Sequence, residues 1–202
     1  ISNACLGAVD GIVMASDAIL LGRIDAALVV CCESARGIVD IACQRLLSDP
    51  RMDRFIPTLA TLTGGSGAAA MLLVSSRVST EGPLLLGSSL GTDARWHKLC
   101  RWGIHTDEES SDPAARIEYM ETDSIGVLRH GVEVGVETWK RFLRELEWSA
   151  SDIDRTICHQ VGSAHRDEIL AALGLSAEND FITYPFLGNM GTVSIPMTAA
   201  LA

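Results

Sequence analysis

The sequence predicts an α/β protein, and three observations carry that prediction. Short, wholly apolar runs at 26–31 and 68–74 have the length and composition of strands covered on both faces. Longer stretches at 6–22 and 125–146 carry apolar residues at helical spacing. Glycine-containing turns at Gly22, Thr63-Gly64-Gly65-Ser66-Gly67 and Gly174 punctuate the units. Strands alternating with helices imply a largely parallel sheet.

In chain order, residues 6–22 read as a buried helix. Leu6, Val9, Ile12, Val13, Ala18, Ile19 and Leu20 are mixed with Gly7, Gly11 and Ala15, whose small size permits close packing. Ser2 and Asn3 are capping residue types just before it, and Gly22 ends it. Strands follow at 26–31, at 68–74 after the glycine loop, and at 83–88. Residues 92–122 are polar and hold Trp96, Trp102, His97, His105 and the acidic cluster Asp107-Glu108-Glu109. They read as an excursion from the core, either a flap over a site or a surface insertion. A long helix spans 125–146, with Val127, Val132, Val136, Trp139, Phe142 and Leu143 on one face. A turn at 149–152 leads to a buried strand at 153–157 that runs into Cys158 and His159. A helix at 163–173 is closed by Gly174. A short strand at 181–184, a loop at 185–191 and a helix from 192 with Pro196 in its first turns complete the chain. Three segments result: 1–91, the polar 92–124, and 125–202.

Composition narrows the function classes. Of 202 residues, 48% are hydrophobic and 21% charged, the balance of a folded chain and not of a disordered one. Sixteen basic against 26 acidic residues give a net charge of −10, which argues against a nucleic-acid or anionic-membrane binder. Asp10, Asp17, Arg23 and Asp25 interrupt the most hydrophobic region, so no membrane span is expected. No basic segment followed by an apolar stretch reads as a signal peptide. The six cysteines contain no Cys-x-x-Cys, and Cys31 and Cys32 are adjacent; reduced thiols in a cytoplasmic protein are expected. The chain opens on Ile1 and closes within an apolar, helical-looking stretch, so both ends read as cut from a longer polypeptide. Residues 1–202 alone are expected to bury too little surface to fold independently.

Three residues could carry chemistry. Cys5 stands where a capped helix begins, and the free N–H groups and positive end of a helix favour a thiolate, a strong nucleophile toward an activated acyl carbon. The alternative is a small buried hydrophobe. His159 stands at the carboxyl end of an expected strand, where ligands collect in open α/β sheets, and could serve as base, acid or hydrogen-bond donor. The alternative is a core histidine bonded to a backbone carbonyl. Asn189 stands in Gly188-Asn189-Met190-Gly191, where glycines let a ligand approach and the amide can donate and accept; the alternative is a turn-forming Asn. A zinc site from Cys158, His159 and His165 fails on spacing, because neighbouring strand residues face opposite ways and no fourth ligand presents itself. No metal or cofactor is expected. A cysteine at a helix start, a histidine at a strand end and an asparagine in a glycine-bounded loop suit acyl transfer or carbon–carbon bond formation, with the His and Asn donors stabilising an oxyanion.

These motifs resemble the thiolase superfamily in its type III β-ketoacyl-acyl-carrier-protein synthase branch. The matching segments are Asn3-Ala4-Cys5-Leu6-Gly7, Cys158-His159-Gln160-Val161, and Gly188-Asn189-Met190-Gly191-Thr192-Val193-Ser194-Ile195-Pro196, the last being the most specific. Within that branch the chain most resembles the OleA-type thiolases, which condense two long-chain acyl-CoAs head to head. Leu62-Thr63-Gly64-Gly65-Ser66-Gly67-Ala68-Ala69-Ala70-Met71, Trp96-His97-Lys98-Leu99-Cys100-Arg101 and His159-Gln160-Val161 carry that likeness. The resemblance implies part of a five-layer α-β-α-β-α fold: the later part of the first half, with the nucleophile, and most of the second. It implies Cys5 as the acyl-accepting nucleophile, with His159 and Asn189 facing the second substrate. The general base it implies is a glutamate of a segment outside these residues, reaching across a dimer. The expected partners are acyl-CoA or acyl-carrier-protein thioesters and a second subunit, identical or paralogous. Three other readings share the fold: a decarboxylative synthase using a malonyl thioester, an acyltransferase to a hydroxyl or amine, and an inactive partner subunit.

Overall fold

An antiparallel pair of strands, crossed on one face by helices from both ends of the chain, anchors the computed structural model, which describes residue 1, residues 3–106 and residues 116–202. β1 (Ala26–Glu33) pairs with β2 (Gly67–Val74) along its whole length, Ala26 opposite Val74 and Glu33 opposite Gly67. The largely parallel sheet expected from the sequence is therefore corrected. Both ladders among the described residues are antiparallel, and the only parallel pairings there are the single bridges Gly64–Asn189 and Thr156–Asp180. The connection supplies the reason. α2 (Arg36–Ser48) and α3 (Met52–Leu62) pack against each other between the strands. Two helical passes return the chain to the end it left, so the next strand runs the opposite way.

The ladder is covered on one face only. Ala27, Val29, Cys31 and Glu33 alternate inward on β1, whereas Leu28 and Val30 are 63% and 65% exposed. α1 (Gly7–Leu20), entered through a 3-10 turn at Ala4–Leu6, lies on the covered face. A Cβ at Gly11 would sit 2.8 Å from a methyl of Val29, so the glycine lets helix and strand touch. A 3-10 turn at Gly191–Val193 and α7 (Ser194–Leu201) share that face. Gly67 abuts Met190, Val193 and Met197. Met190, Val193, Ser194 and Thr198 are almost wholly buried, so residues from the end of the chain fill the core beneath strands from its beginning.

Within 92–124, β3 (Cys100–Thr106) and β4 (Arg116–Thr122) form a hairpin with Cys100 opposite Thr122. β4 packs on α3 and α2, and the Thr61 hydroxyl donates to the Met120 carbonyl at 3.4 Å. The cluster Asp107-Glu108-Glu109 lies outside the described residues. Asp123 caps α4 (Ser124–Leu146) by accepting the Gly126 N–H at 2.9 Å. Residues 83–88, expected as a strand, are irregular, and Leu84, Leu85 and Leu86 are exposed. None of the described strands pairs with this segment. The stretch instead runs along α4, where Gly87 lies against Leu146 and Arg141 donates to Ser89 at 2.8 Å and to the Leu90 carbonyl.

α5 (Ser163–Leu173) ends on Gly174 in the left-handed conformation, as its glycine predicts. The expected strands at 153–157 and 181–184 reduce to a single bridge. Thr156 N–H donates to the Asn179 carbonyl, Phe181 N–H donates to the Thr156 carbonyl, and α6 (Tyr184–Leu187) begins at once. A side chain replaces the missing ladder. The Asp180 carboxylate, its side chain 0% exposed, accepts from Cys158 N–H at 3.0 Å, the Thr156 hydroxyl at 3.3 Å and Arg166 Nε of α5 at 2.7 Å. Removing one member of a buried ion pair leaves an uncompensated charge, so Asp180→Ala is expected to cost about 3–5 kcal/mol. Urea unfolding of the full-length polypeptide checks this; a cost below about 1 kcal/mol would place the restraint on this segment elsewhere.

Candidate active site

Cys5 lies in the middle of the turn Ala4–Leu6, one turn before α1 proper. Ala4, directly before it, has φ +42, a left-handed conformation that costs a non-glycine residue roughly 1–2 kcal/mol. That strain aims the chain into the helix and is not legible from an alanine. The cap differs from expectation. Asn3 makes no side-chain cap bond and instead donates its amide to Asp10 at 2.6 Å, while Ser2 lies outside the described residues.

The charge state of Cys5 also differs. A helix start favours the thiolate, but burial outweighs it here and pushes the thiol up to about 11, with Cys100 and then Glu33 adding to the rise. Cys5 therefore rests as a thiol. Cys158 is raised further, to about 12, by burial and then by Asp180.

Asn189 is fixed by its backbone. Its N–H donates to the Thr63 carbonyl at 2.9 Å, and its carbonyl accepts from Gly65 N–H at 2.8 Å. The glycine loop before β2 is thus a clamp for the Asn189 loop. A Cβ at Gly65 would run into the Leu187 carbonyl, and Gly188 has φ +71 with no room for a Cβ beside the Thr63 carbonyl. The Asn189 Oδ1 accepts from Gly191 N–H at 3.0 Å, so its Nδ2 end is left without a partner among the described residues.

His159 follows an extended segment and not a full strand. Both backbone groups of the preceding Cys158 are held: its N–H by Asp180, and its carbonyl by Gln160 Nε2 at 2.7 Å. Gln160, 1% exposed, also accepts the N–H groups of Thr183 and Tyr184 at 2.9 and 3.2 Å. The His159 Nδ1 atom is buried without a hydrogen-bond partner. Burial first, and nearby His165 second, lower the imidazole to about 4. It is neutral at ordinary pH, and the backbone-bonded core histidine weighed from sequence is not what the structure shows.

The Cys5 and Asn189 segments meet directly. The turn Ala4–Leu6 packs on the turn Gly191–Val193, and Ala8 N–H donates to the Thr192 hydroxyl at 2.7 Å. A Cβ at Gly7 would lie 3.1 Å from that same oxygen. His159 joins them through Gln160, whose bonds to Thr183 and Tyr184 hold the start of α6, the helix that delivers Gly188 and Asn189. Thr183 and Thr198 share a buried hydroxyl contact at 2.7 Å, which ties this route to α7. No hydrogen bond runs between the three side chains among the described residues. Two of the cavities among the described residues lie away from these side chains. One of about 290 Å³ lies between α3 and the hairpin, lined by Ile56, Pro57, Lys98, Leu99, Arg101 and Thr122 among others. The second, about 340 Å³, is lined by Ile153, Thr156, Gly174 and Leu175 among others. Neither is lined by Cys5, His159 or Asn189. Among the described residues no group of three or more His, Cys, Asp or Glu side chains could hold a metal ion, and no helix is long and apolar enough to cross a membrane. Glu33, Cys100, Thr192 and Gln160 also shape this region; the last three lie in segments that carry the family resemblance, whereas nothing in the sequence signals Glu33.

Comparison with known proteins places this arrangement. Residues 1–94 match the family described as 3-oxoacyl-[acyl-carrier-protein (ACP)] synthase III, and residues 143–202 match the family described as its C terminal. An acyl-CoA:acyl-CoA alkyltransferase of Shewanella oneidensis is 45% identical over 205 residues, covering 100% of this chain and 58% of that protein. A beta-ketoacyl-[acyl-carrier-protein] synthase III of Pseudomonas aeruginosa is 27% identical over 201 residues, covering 99% of this chain and 56% of that protein. A crystal structure of a Cys-to-Ser variant of Xanthomonas campestris OleA, with bound lauric acid and lauroyl-CoA, is similar with a TM-score of 0.86. Its sequence is 27% identical, and the likeness covers 100% of this chain and 56% of that one. The chain spans a little over half the length of the relatives it matches. Its helices and strands are the corresponding part of a thiolase-like fold, and the chain belongs to the 3-oxoacyl-acyl-carrier-protein synthase III family.

Proposed function

We propose that this chain carries the acyl-accepting half-site of an acyl-CoA condensing enzyme. The observation that carries the reading is the docking of the Cys5 turn onto the turn that follows Asn189; a buried, unpartnered His159 nitrogen, held next to Gln160, supports it. An orphaned buried nitrogen such as His159 Nδ1 is costly unless a ligand satisfies it. The 45% identity to an acyl-CoA:acyl-CoA alkyltransferase, and the lauroyl-CoA held by the similar OleA structure, support acyl-CoA as the substrate class.

The chemistry proceeds in two displacements. The Cys5 sulfur attacks the carbonyl carbon of an acyl-CoA; the new sulfur–carbon bond forms, the bond to the CoA sulfur breaks, and the thiol proton leaves with CoA-SH. A second acyl-CoA then loses an α-proton to a base that these residues do not assign. Its carbanion attacks the Cys5 thioester, the carbon–carbon bond forms, the bond to Cys5 breaks, and a β-ketoacyl-CoA departs. Neutral His159 and the Asn189 amide donate to the enolate oxygen of the second substrate, where preorganised donors have their largest effect. A decarboxylative route, in which loss of carbon dioxide from a malonyl thioester supplies the carbanion, is favoured by the match to synthase III. Release of labelled carbon dioxide separates the two.

Incubating the full-length polypeptide with lauroyl-CoA is expected to add one lauroyl group, mapped to Cys5 by mass spectrometry and absent from Cys5→Ala. An adduct that survives Cys5→Ala contradicts the reading. His159→Ala and Asn189→Ala are expected to keep the acylation step while lowering carbon–carbon bond formation by about 10²–10³. The pH dependence follows from Cys5 itself. Burial raises its thiol, so the reactive thiolate grows about tenfold per pH unit from about pH 7 to about pH 10, and alkylation by iodoacetamide should climb without a plateau. A plateau near about pH 8 would indicate an activated thiolate instead.

A further inference from the structure

Gln160, Thr183, Ser194 and Thr198 are polar and almost wholly buried. A position that served packing alone would take an apolar side chain, because burying a polar group costs free energy unless it is hydrogen-bonded. These four are bonded in one continuous line. Gln160 Nε2 donates to the Cys158 carbonyl at 2.7 Å, and Gln160 Oε1 accepts from Thr183 N–H at 2.9 Å and Tyr184 N–H at 3.2 Å. The Thr183 hydroxyl meets the Thr198 hydroxyl at 2.7 Å, and the Thr198 hydroxyl donates to the Ser194 carbonyl at 2.7 Å. The Ser194 hydroxyl in turn accepts from Met190 N–H at 3.0 Å. The line starts on the residue before His159 and ends on the residue after Asn189. A shorter branch runs through α6. Thr183 makes no side-chain cap bond there, and Gln160 reaches over from its own segment to hold the N–H groups at that end. Leu187 N–H then donates to the Thr183 carbonyl at 2.9 Å, and Gly188 N–H donates to the Tyr184 carbonyl at 3.0 Å, which brings the chain to Asn189. A carboxamide donates from one end and accepts at the other, as this position requires and as no apolar side chain can.

We propose that Gln160 is a positioning residue that fixes the spacing between His159 and Asn189, with the hydroxyls of Thr183, Thr198 and Ser194 holding the same spacing along a second path. Gln160 acts through the backbone: through Cys158 on the His159 side and through α6 on the Asn189 side. Two donors that converge on one oxygen lose much of their effect when either moves by about 1 Å. The Cys5 turn docks on the turn Gly191–Val193 by contacts that do not include Gln160. Acylation of Cys5 therefore lies outside the reach of this device, and carbon–carbon bond formation lies within it. The inference deepens the proposed function and rests on it for the statement that His159 and Asn189 serve the second displacement.

The test compares the parent full-length polypeptide with Gln160→Met, Gln160→Glu and Thr198→Val, using lauroyl-CoA as the probe. Adduct formation on Cys5 and β-ketoacyl product per acylated Cys5 are followed separately by mass. Amide hydrogen exchange is read on peptides covering 183–189, with β1 as the reference. Gln160→Met keeps the volume and removes both bonds. Its acylation is expected to stay within about threefold of the parent while carbon–carbon bond formation falls about 10–100-fold. Exchange is expected to rise in 183–189 and not in β1. Gln160→Glu at about pH 6, where a buried carboxyl is protonated, can again donate to the Cys158 carbonyl and accept from α6, so it is expected to recover most of that loss. Equal loss of the two steps in Gln160→Met overturns the proposal, as does retention of both, a parallel rise of exchange in β1, or a Gln160→Glu variant no better than Gln160→Met. Should Gln160→Met fail to fold, Thr198→Val decides. It keeps the side-chain shape and removes one hydroxyl of the line, so carbon–carbon bond formation is expected to fall about 3–10-fold with acylation retained. Loss of both steps alike, or of neither, contradicts the proposal. Absence of any adduct on Cys5 of the parent would sink the proposed function, and exchange alone then decides the role of Gln160: a rise confined to 183–189 upholds the coupling, and parent-like exchange overturns it.

Discussion

The structure depends on one packing event: residues 190–198 close onto the covered face of a ladder formed by residues 26–33 and 67–74. Met190, Val193, Ser194 and Thr198 are almost wholly buried there, and the glycines Gly7 and Gly67 make the approach possible. Apolar burial contributes about 25 cal/mol per Å², so a core this small makes each of those contacts count. The bond from Ala8 N–H to the Thr192 hydroxyl spans 184 positions and lies in that contact.

The candidate site follows from how each residue is held and not from side chains that touch each other. Asn189 is clamped by backbone bonds to Thr63 and Gly65. His159 is held by its neighbours, with Asp180 on the Cys158 N–H and Gln160 on the Cys158 carbonyl. Rigid backbone with unsatisfied side-chain groups is the arrangement of a preorganised site, since the donors need not reorganise when charge develops. Desolvation acts in the same direction. It favours the thiol at Cys5 and the neutral imidazole at His159.

Local chemistry was legible in the sequence; tertiary choices were not. The helices around 125–146 and 163–173 are legible because apolar periodicity in the first and Gly174 at the end of the second act within a few residues. The segments at 83–88, 153–157 and 181–184 read as strands because apolar composition signals burial, whereas pairing, which the structure reduces to a single bridge at Thr156, depends on distant residues. Direction was misread because the pair α2 and α3 reverses it. The three site residues were readable as types in characteristic settings. Ala4's strained backbone, the reach of Glu33 to Thr192 and the burial that raises Cys5 were not, because each depends on residues distant in sequence. The glycine loop at 63–67 was visible as a turn, but its use as a clamp on Asn189 required the fold.

The most direct test of the central claim is a crystal structure of the full-length polypeptide carrying Cys5→Ser with an acyl-CoA bound. The account predicts the thioester carbonyl at the residue 5 side chain, with the Asn189 amide and the His159 ring directed at the reacting end of the ligand within about 2.7–3.2 Å of its oxygens or one water away. A thioester seated elsewhere, or a ligand whose reacting end neither His159 nor Asn189 faces, would contradict it.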